Sequence, residues 1–420
     1  MVLLAGAIHS AAPAEAQQRG RRQAQPSWWQ RTESLWSRYY LIRTDLPKAE
    51  ARDYARHLDR MYEEYSRRLA SLPPRAPEKL NVLIFKDRLE YLQTLRLRFG
   101  IDGTGTGGMF FVNPQGSGLA FWTGNLPRPR IEHVMQHEGF HQFAYSRFGN
   151  DLPVWVNEGL AEFFGEAVLV GNTFILGQST PRVVESVKNA IELDEYVHFR
   201  RMLSMSPGQW MEHVNGGDSS IMYHQAWSMV HFLVYGEGGR YQSAFEEYLR
   251  QLNKGIPPEH AFVRVFGEDV NAFEERWLEH ARSAKPSAFI TALERIEFLA
   301  EGALELSRDG IVPESLEELK EHLREIGFTH TVGHHGLKTQ LSAEDDATFT
   351  IPMDGLTPEQ PVFVVEKPKL RFSSIRERRA EEAQPTPCAI STENLRPRRM
   401  EIRWIRDRDT LELHYEIVIR

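Results

Sequence analysis

The sequence predicts an α+β fold in which a small mixed sheet is followed by helices, with a C-terminal extension that is first helical and then β-rich. Three observations lead there. Short apolar runs bounded by turn residues dominate the stretch up to Trp122, apolar positions spaced three and four apart dominate from Ile131 to about residue 326, and short extended runs return beyond Thr331. With 420 residues, 41% hydrophobic and 26% charged, the chain is long enough for two or three domains. The expected division is a signal-like, disordered start over 1–27, a mixed domain over 28–285, a helical connector over 286–330 and a β-rich region over 331–420.

Each element has its own warrant. Tyr39, Tyr40, Leu41 and Ile42 stand together within Arg38 to Thr44, ahead of Asp45-Leu46-Pro47, which reads as a buried strand stopped by a turn. Ala51, Tyr54, Ala55, Leu58, Met61, Tyr62, Tyr65 and Leu69 then form one helical stripe of core character that Pro73-Pro74 closes. Leu80 to Phe85, Met109 to Val112 and Leu119 to Trp122 read as three further strands, the last two set off by glycines. Ile131, Val134, Met135, Phe143 and Ala144 mark a helix over Ile131 to Tyr145, and Pro153 introduces another over Trp155 to Phe164. Further helices are expected near 182–192, 221–235, 241–252, 258–265, 270–283 and across 287–326, where Pro313 begins an amphipathic element through Leu316, Leu319 and Leu323. Phe349 to Ile351, Val362 to Val365, Met400 to Ile405 and Leu411 to Ile419 read as strands, the last two as a hairpin around Arg406 to Asp409.

Composition removes several classes of function. A formal charge of −8 gives no basic footprint for nucleic acid, and the arginine runs at 376–379 and 396–399 are interrupted and read as solvated surface. Cys388 is the single cysteine, so any metal site must use histidine and carboxylate rather than thiolate, and no intramolecular disulfide can form. An unpaired thiol fits a reducing compartment or a secreted protein without bridges. No run of eighteen apolar residues argues for an integral membrane segment. Val2 to Ile8 is a short apolar run followed by small residues and Ala14-Glu15-Ala16, similar to a signal-peptidase site though without a basic leader, and it points to an extracytoplasmic, periplasmic or secreted, protein.

The chemistry sits in His137-Glu138-Gly139-Phe140-His141, an HExxH motif. On a helix, positions i and i+4 share a face, so two imidazoles can reach one ion while the intervening glutamate lies beside it as a base. Val134, Met135, Phe140 and Phe143 are the apolar flanks that seat such a helix in a core. Gly139 departs from a good helix former at about 1 kcal/mol relative to alanine, which signals close backbone packing or an imperfect motif. Downstream stands Trp155-Val156-Asn157-Glu158-Gly159-Leu160-Ala161-Glu162, in which Glu158 can complete a His₂Glu set with an open fourth position, the catalytic pattern for zinc. Glu162, one turn later, can accept the second ring N–H of one ligand histidine, and Asn157 can do the same for the other.

With those residues in place the chain resembles the gluzincins, the thermolysin-like and aminopeptidase-like zinc peptidases, and their peptidase-MA-like bacterial branch in particular, over roughly residues 36–283. The resemblance implies a gluzincin-like peptidase domain binding one Zn²⁺ through His137, His141 and Glu158, with Glu138 as general base, acting on a peptide or protein substrate. It also implies a substrate-binding strand ahead of the motif helix, where Gly107-Gly108-Met109-Phe110 is similar to the aminopeptidase strand. No acid follows Met109 to hold a free amino group, so an endopeptidase is expected over an aminopeptidase. Gluzincins present a tyrosine or histidine to the oxyanion from a later helix, and Tyr223 in Tyr223-His224-Gln225-Ala226-Trp227 stands in that place, with His224 and His231 as alternatives. His330, His334 and His335, near Gly333 and Gly336, read as a turn. A competing expectation is a non-catalytic cell-envelope protein that keeps the gluzincin fold and binds a partner, against which stands the intact Glu138 between its two histidines.

Overall fold

A computed structural model describes residues 27–420 apart from residues 71, 73–78, 115, 125, 127, 171–172, 217–218, 335–336, 354–358, 369–379, 397 and 408–409. The signal-like start, Pro73-Pro74, the arginine run at 376–379 and His335 lie outside the described residues. The chain is mixed α and β and forms two compact units that are interleaved in sequence. The first holds residues up to Gly165 with Phe199–Gly217 and Gln242–Val270, and the second holds Glu166–His198, Asp218–Tyr241 and Asn271–Arg420.

The first unit opens with α1 (Trp28–Arg31), β1 (Glu33–Trp36), β2 (Tyr40–Thr44), α2 (Lys48–Arg68), β3 (Leu80–Phe85), α3 (Arg88–Thr94), β4 (Gly108–Asn113), β5 (Gly116–Trp122), α4 (Arg128–Phe148) and α5 (Val154–Gly165). Its sheet has the order β1-β2-β3-β5-β4, with β2, β3 and β5 parallel and β1 and β4 antiparallel at the edges. A helical crossover between β2 and β3 is what a parallel pair requires, and the α2 stripe supplies it. Side chains alternate across the sheet with period two. Val82, Ile84, Leu119 and Phe121 face a core shared with Tyr54, Ala55 and Leu58 of α2 and Ile131, Val134 and Met135 of α4. Leu83, Phe85 and Ala120 face the other way, onto Trp28, Tyr91 and Leu95. Full burial of a Leu58 or Met61 side chain contributes about 1.5–3 kcal/mol. Asp87 caps α3 by accepting the N–H groups of Leu89 and Glu90, and a single π turn, Leu95–Phe99, follows before Gly100 closes it in a left-handed conformation.

The later elements alternate between the units. In the second are β6 (Val168–Val170), β7 (Thr173–Ile175) and α6 (Pro181–Glu192); in the first, α7 (Phe199–Ser204) and α8 (Pro207–Gly216). Then come α9 (Ser219–Gly239) in the second, whose helical backbone breaks at Gly236, and α10 (Gln242–Asn253) and α11 (Pro258–Phe266) in the first. The chain continues through α12 (Val270–Ser283), α13 (Ala288–Arg308), α14 (Leu316–Glu325), β8 (Thr329–His334), β9 (Leu337–Ser342), β10 (Val362–Glu366), β11 (Ala389–Glu393), β12 (Met400–Arg406) and β13 (Leu413–Ile419).

Helix α13, which the sequence reading places between two domains, shares one hydrophobic core with α14 and the antiparallel sheet β10-β11-β12-β13. Cys388 lies in that core, where burial pushes its thiol up to about 12. Two expectations need correction. Phe349 to Ile351 is not a strand: a 3₁₀ turn, Asp346–Phe349, precedes it, because Asp345 accepts the Ala347 N–H and starts a cap. His330 and His334, read from the sequence as part of a turn, lie in β8, where they stand opposite Leu341 and Leu337 of β9. No helix among the described residues is long and apolar enough to cross a membrane.

Candidate metal centre

Helix α4 is apolar on most of its circumference, with Ile131, Val134, Met135, Phe140, Phe143 and Ala144 all buried. It therefore runs through the first unit's interior rather than over it. Helix α5 starts directly after Pro153, whose carbonyl accepts the N–H groups of Val156 and Asn157, and it too is buried almost throughout. The two helices meet α2 through aromatic rings, Tyr65 lying 4.8 Å from Phe164 and 5.6 Å from Phe140, and Phe140 stacked on Phe164 at 5.2 Å between centroids.

This packing brings three donors to one point. Nε2 of His137 and Nε2 of His141 are 3.1 Å apart, and Oε2 of Glu158 lies 3.6 Å from the first and 3.4 Å from the second. Three ligands bound at 2.0–2.2 Å around one tetrahedral ion stand about 3.3–3.5 Å apart, so the triangle has the size of a small tetrahedral centre. The electrostatics agree with a place for positive charge. Burial disfavours a charged ring at His137, but the carboxylates of Glu162, Glu158 and Glu138 outweigh it and hold its imidazole well above the ordinary histidine range. Burial acts to raise the Glu158 carboxyl, yet His141 and His137 pull it well below the usual carboxylate range. The residues His137, His141 and Glu158 are thus a grouping that can hold a metal ion.

Around this triangle stand the outer groups. Glu162 Oε1 is 3.2 Å from Nδ1 of His137, as the spacing predicts. His133, Glu162 and His137 form a second grouping of possible donors, with His133 Nε2 4.0 Å from Glu162 Oε2. An imidazole that takes a metal through Nε2 keeps its proton on Nδ1, so His137 could serve only one of the two groupings, and in the first Glu162 would accept from it. Burial drives His133 down to about 4, leaving it neutral near pH 7. The expected role of Asn157 is not realised: Nδ1 of His141 is buried without a hydrogen-bond partner among the described residues.

Glu138 is addressed from β4. The Phe110 N–H donates to Glu138 Oε2 at 2.7 Å, so the carboxylate is oriented by the backbone of the sheet's edge strand. Phe110 itself is buried and packs on Tyr145 at 5.5 Å, so the position after Met109 holds a buried apolar side chain. Tyr223 lies half-buried on α9, in the second unit. Among the alternatives, His231 is spoken for by His280, with 3.1 Å between Nδ1 and Nε2.

Sequence reasoning missed His133 and Gln136, the latter a buried amide immediately before His137. The signal for His133 was present, since it precedes His137 by one helical repeat. For Gln136 the only signal was an amide on the inward side of a helix otherwise apolar there.

A family model described as a protein of unknown function, DUF1570, matches residues 132–258, a stretch that takes in His133, His137, Glu138, His141, Glu158 and Glu162. No curated protein matches the chain.

Proposed function

We propose that the chain is a zinc-dependent peptidase with a gluzincin-like catalytic domain, cleaving internal peptide bonds of a peptide or protein substrate. The observation that carries this reading is the triangle of His137 Nε2, His141 Nε2 and Glu158 Oε2, with edges of 3.1, 3.4 and 3.6 Å, beside a carboxylate that has no part in it. The donor set, two imidazoles and one carboxylate, suits zinc and leaves a fourth position open. When bound, the zinc supplies Lewis acidity to a water and to the scissile carbonyl.

The remaining work belongs to the chain. Glu138 removes the proton from the water, and because Oε2 is engaged by the Phe110 N–H, Oε1 is the oxygen that holds it. The water oxygen bonds to the acyl carbon, the C–N bond breaks, and Glu138 returns the proton to the leaving nitrogen, so that one peptide and one water become a carboxylic acid and an amine. Among the described residues β4 is an edge strand with a neighbour on one side only, and main-chain groups of its outer edge other than the Phe110 N–H, which Glu138 takes, suit an extended substrate. The absence of an acid beside Met109 favours endopeptidase over aminopeptidase action.

The experiment is metal analysis of the purified protein together with hydrolysis of a mixed peptide library by the parent and by Glu138→Gln. One zinc per chain in both, with hydrolysis only in the parent, is the expected result. A parent that binds zinc and cleaves nothing would reject the catalytic reading while leaving the metal centre standing.

A further inference from the structure

We infer that Gln136 is a positioning residue that fixes how far α5 sits along α4, and thereby the spacing of the three metal donors; the inference rests on the metal-centre reading above. The last four carbonyls of an α-helix have no partner inside the helix, and a helix that ends in a protein's interior must find them elsewhere. Helix α5 ends in this way, at the buried residues Phe164 and Gly165. One side chain meets both: Gln136 Nε2 donates to the carbonyls of Phe164 and Gly165, each at 3.0 Å. Gln136 is 1% exposed and belongs to α4, directly before His137.

The other end of the amide is held as firmly. Since its nitrogen faces the two carbonyls, its Oε1 faces Nε2 of His57 on α2, at 2.8 Å, and that ring nitrogen carries the proton. His57 is 2% exposed, and burial lowers its pKa, so it stays a neutral donor. Tyr65 adds a bond of 2.6 Å to the main-chain carbonyl of Gln136. A Cβ built on Gly165 would stand 3.2 Å from the His133 ring, so a larger residue there would press that ring by a few tenths of an ångström.

The consequence lies along the helix axes. The rings of Tyr65, Phe140 and Phe164 set the distance between helices, but apolar contact is non-directional and resists sliding poorly. Two hydrogen bonds from a doubly held amide do resist it. Glu158 lies nearly two turns before the clamped carbonyls, and His137 follows the clamping residue, so a slide of α5 passes directly into the Glu158–histidine separations. A metal site tolerates about 0.2 Å in its ligand distances.

The test compares the parent with Gln136→Met, which keeps volume and loses all three hydrogen bonds of the amide, and Gln136→Glu, which keeps the acceptor for His57 and loses the donor. Zinc affinity of the folded protein is measured by chelator competition, the visible spectrum of the cobalt-loaded protein reports coordination geometry, and the melting temperature is taken without metal. Both variants are expected to bind zinc about 10- to 100-fold more weakly and to show a weakened or shifted cobalt band. If Gln136→Met does not fold, His57→Phe, which frees only the far end of the amide, is expected to weaken zinc in the same direction, by about tenfold or less. A lower melting temperature with zinc affinity and cobalt spectrum unchanged would mean that Gln136 only satisfies buried carbonyls, and would overturn the inference alone. A parent that takes up neither metal overturns the metal centre, and the inference with it.

Discussion

Glu162 Oε1 stands 3.2 Å from Nδ1 of His137, the ring nitrogen opposite the one that meets His141 and Glu158. That arrangement favours a proton on Nδ1 and makes Nε2 the nitrogen that a metal would take, in exchange for its proton. Glu162→Ala is therefore expected to raise the zinc dissociation constant about 10- to 100-fold, the usual effect of removing an outer carboxylate from a ligand histidine. Chelator competition measures it. An unchanged constant would take Glu162 out of the site.

The same carboxylates make metal uptake a proton-releasing event. His137 is held well above the ordinary histidine value in the metal-free protein, so near pH 7 its ring carries a proton that a metal must displace. Calorimetry in buffers of different ionisation enthalpy should report release of about one proton per ion. Apparent affinity should rise with pH until the raised His137 value is passed and level off above it. Release near zero at pH 7 would mean that His137 is already neutral.

Gly139 lies in the middle of α4, where a glycine is about 1 kcal/mol less favourable than alanine. Among the described residues a Cβ built there meets only the Tyr65 hydroxyl, at 3.5 Å, which is ordinary contact. Close backbone packing does not require this glycine. Gly139→Ala is expected to stabilise the protein by up to about 1 kcal/mol in denaturant titration, with zinc binding kept. Loss of stability would show that the Tyr65–Gln136 bond has no room to adjust.

His231 and His280 form a second histidine pair, remote from the metal donors in sequence and part of the second unit. Burial, and then its neighbour His280, lower His231 to about 3, far below the ordinary histidine value. Because the unfolded chain binds this proton more readily than the folded one, the pair's contribution to stability is fully present above about pH 6.5 and is lost as pH falls toward 3, by up to about 1.4 kcal/mol per pH unit for His231. His231→Phe removes the titration, so its stability should fall less steeply than the parent's between pH 6 and about pH 4. Parallel acid limbs in the two proteins would show that His231 is not the group responsible.

What could be read in the sequence was what a single helix or strand dictates for itself. A repeat of 3.6 residues places His137 and His141 on one face, and Pro153 starts the next helix so that Glu158 and Glu162 share a side; no distant residue enters either argument. The short apolar runs at Leu80–Phe85 and Leu119–Trp122, bounded by turn residues, likewise name their own strands. The 3₁₀ turn at Asp346–Phe349 escaped because a local side-chain cap at Asp345 competes with an apolar run that looks extended. Beyond that, only the tertiary structure decided. Gln136 meets His57 79 residues away, and Glu138 is held by a backbone N–H 28 residues upstream. Such pairings satisfy buried donors and acceptors across elements, a requirement imposed by removal from water and not by any period along the chain.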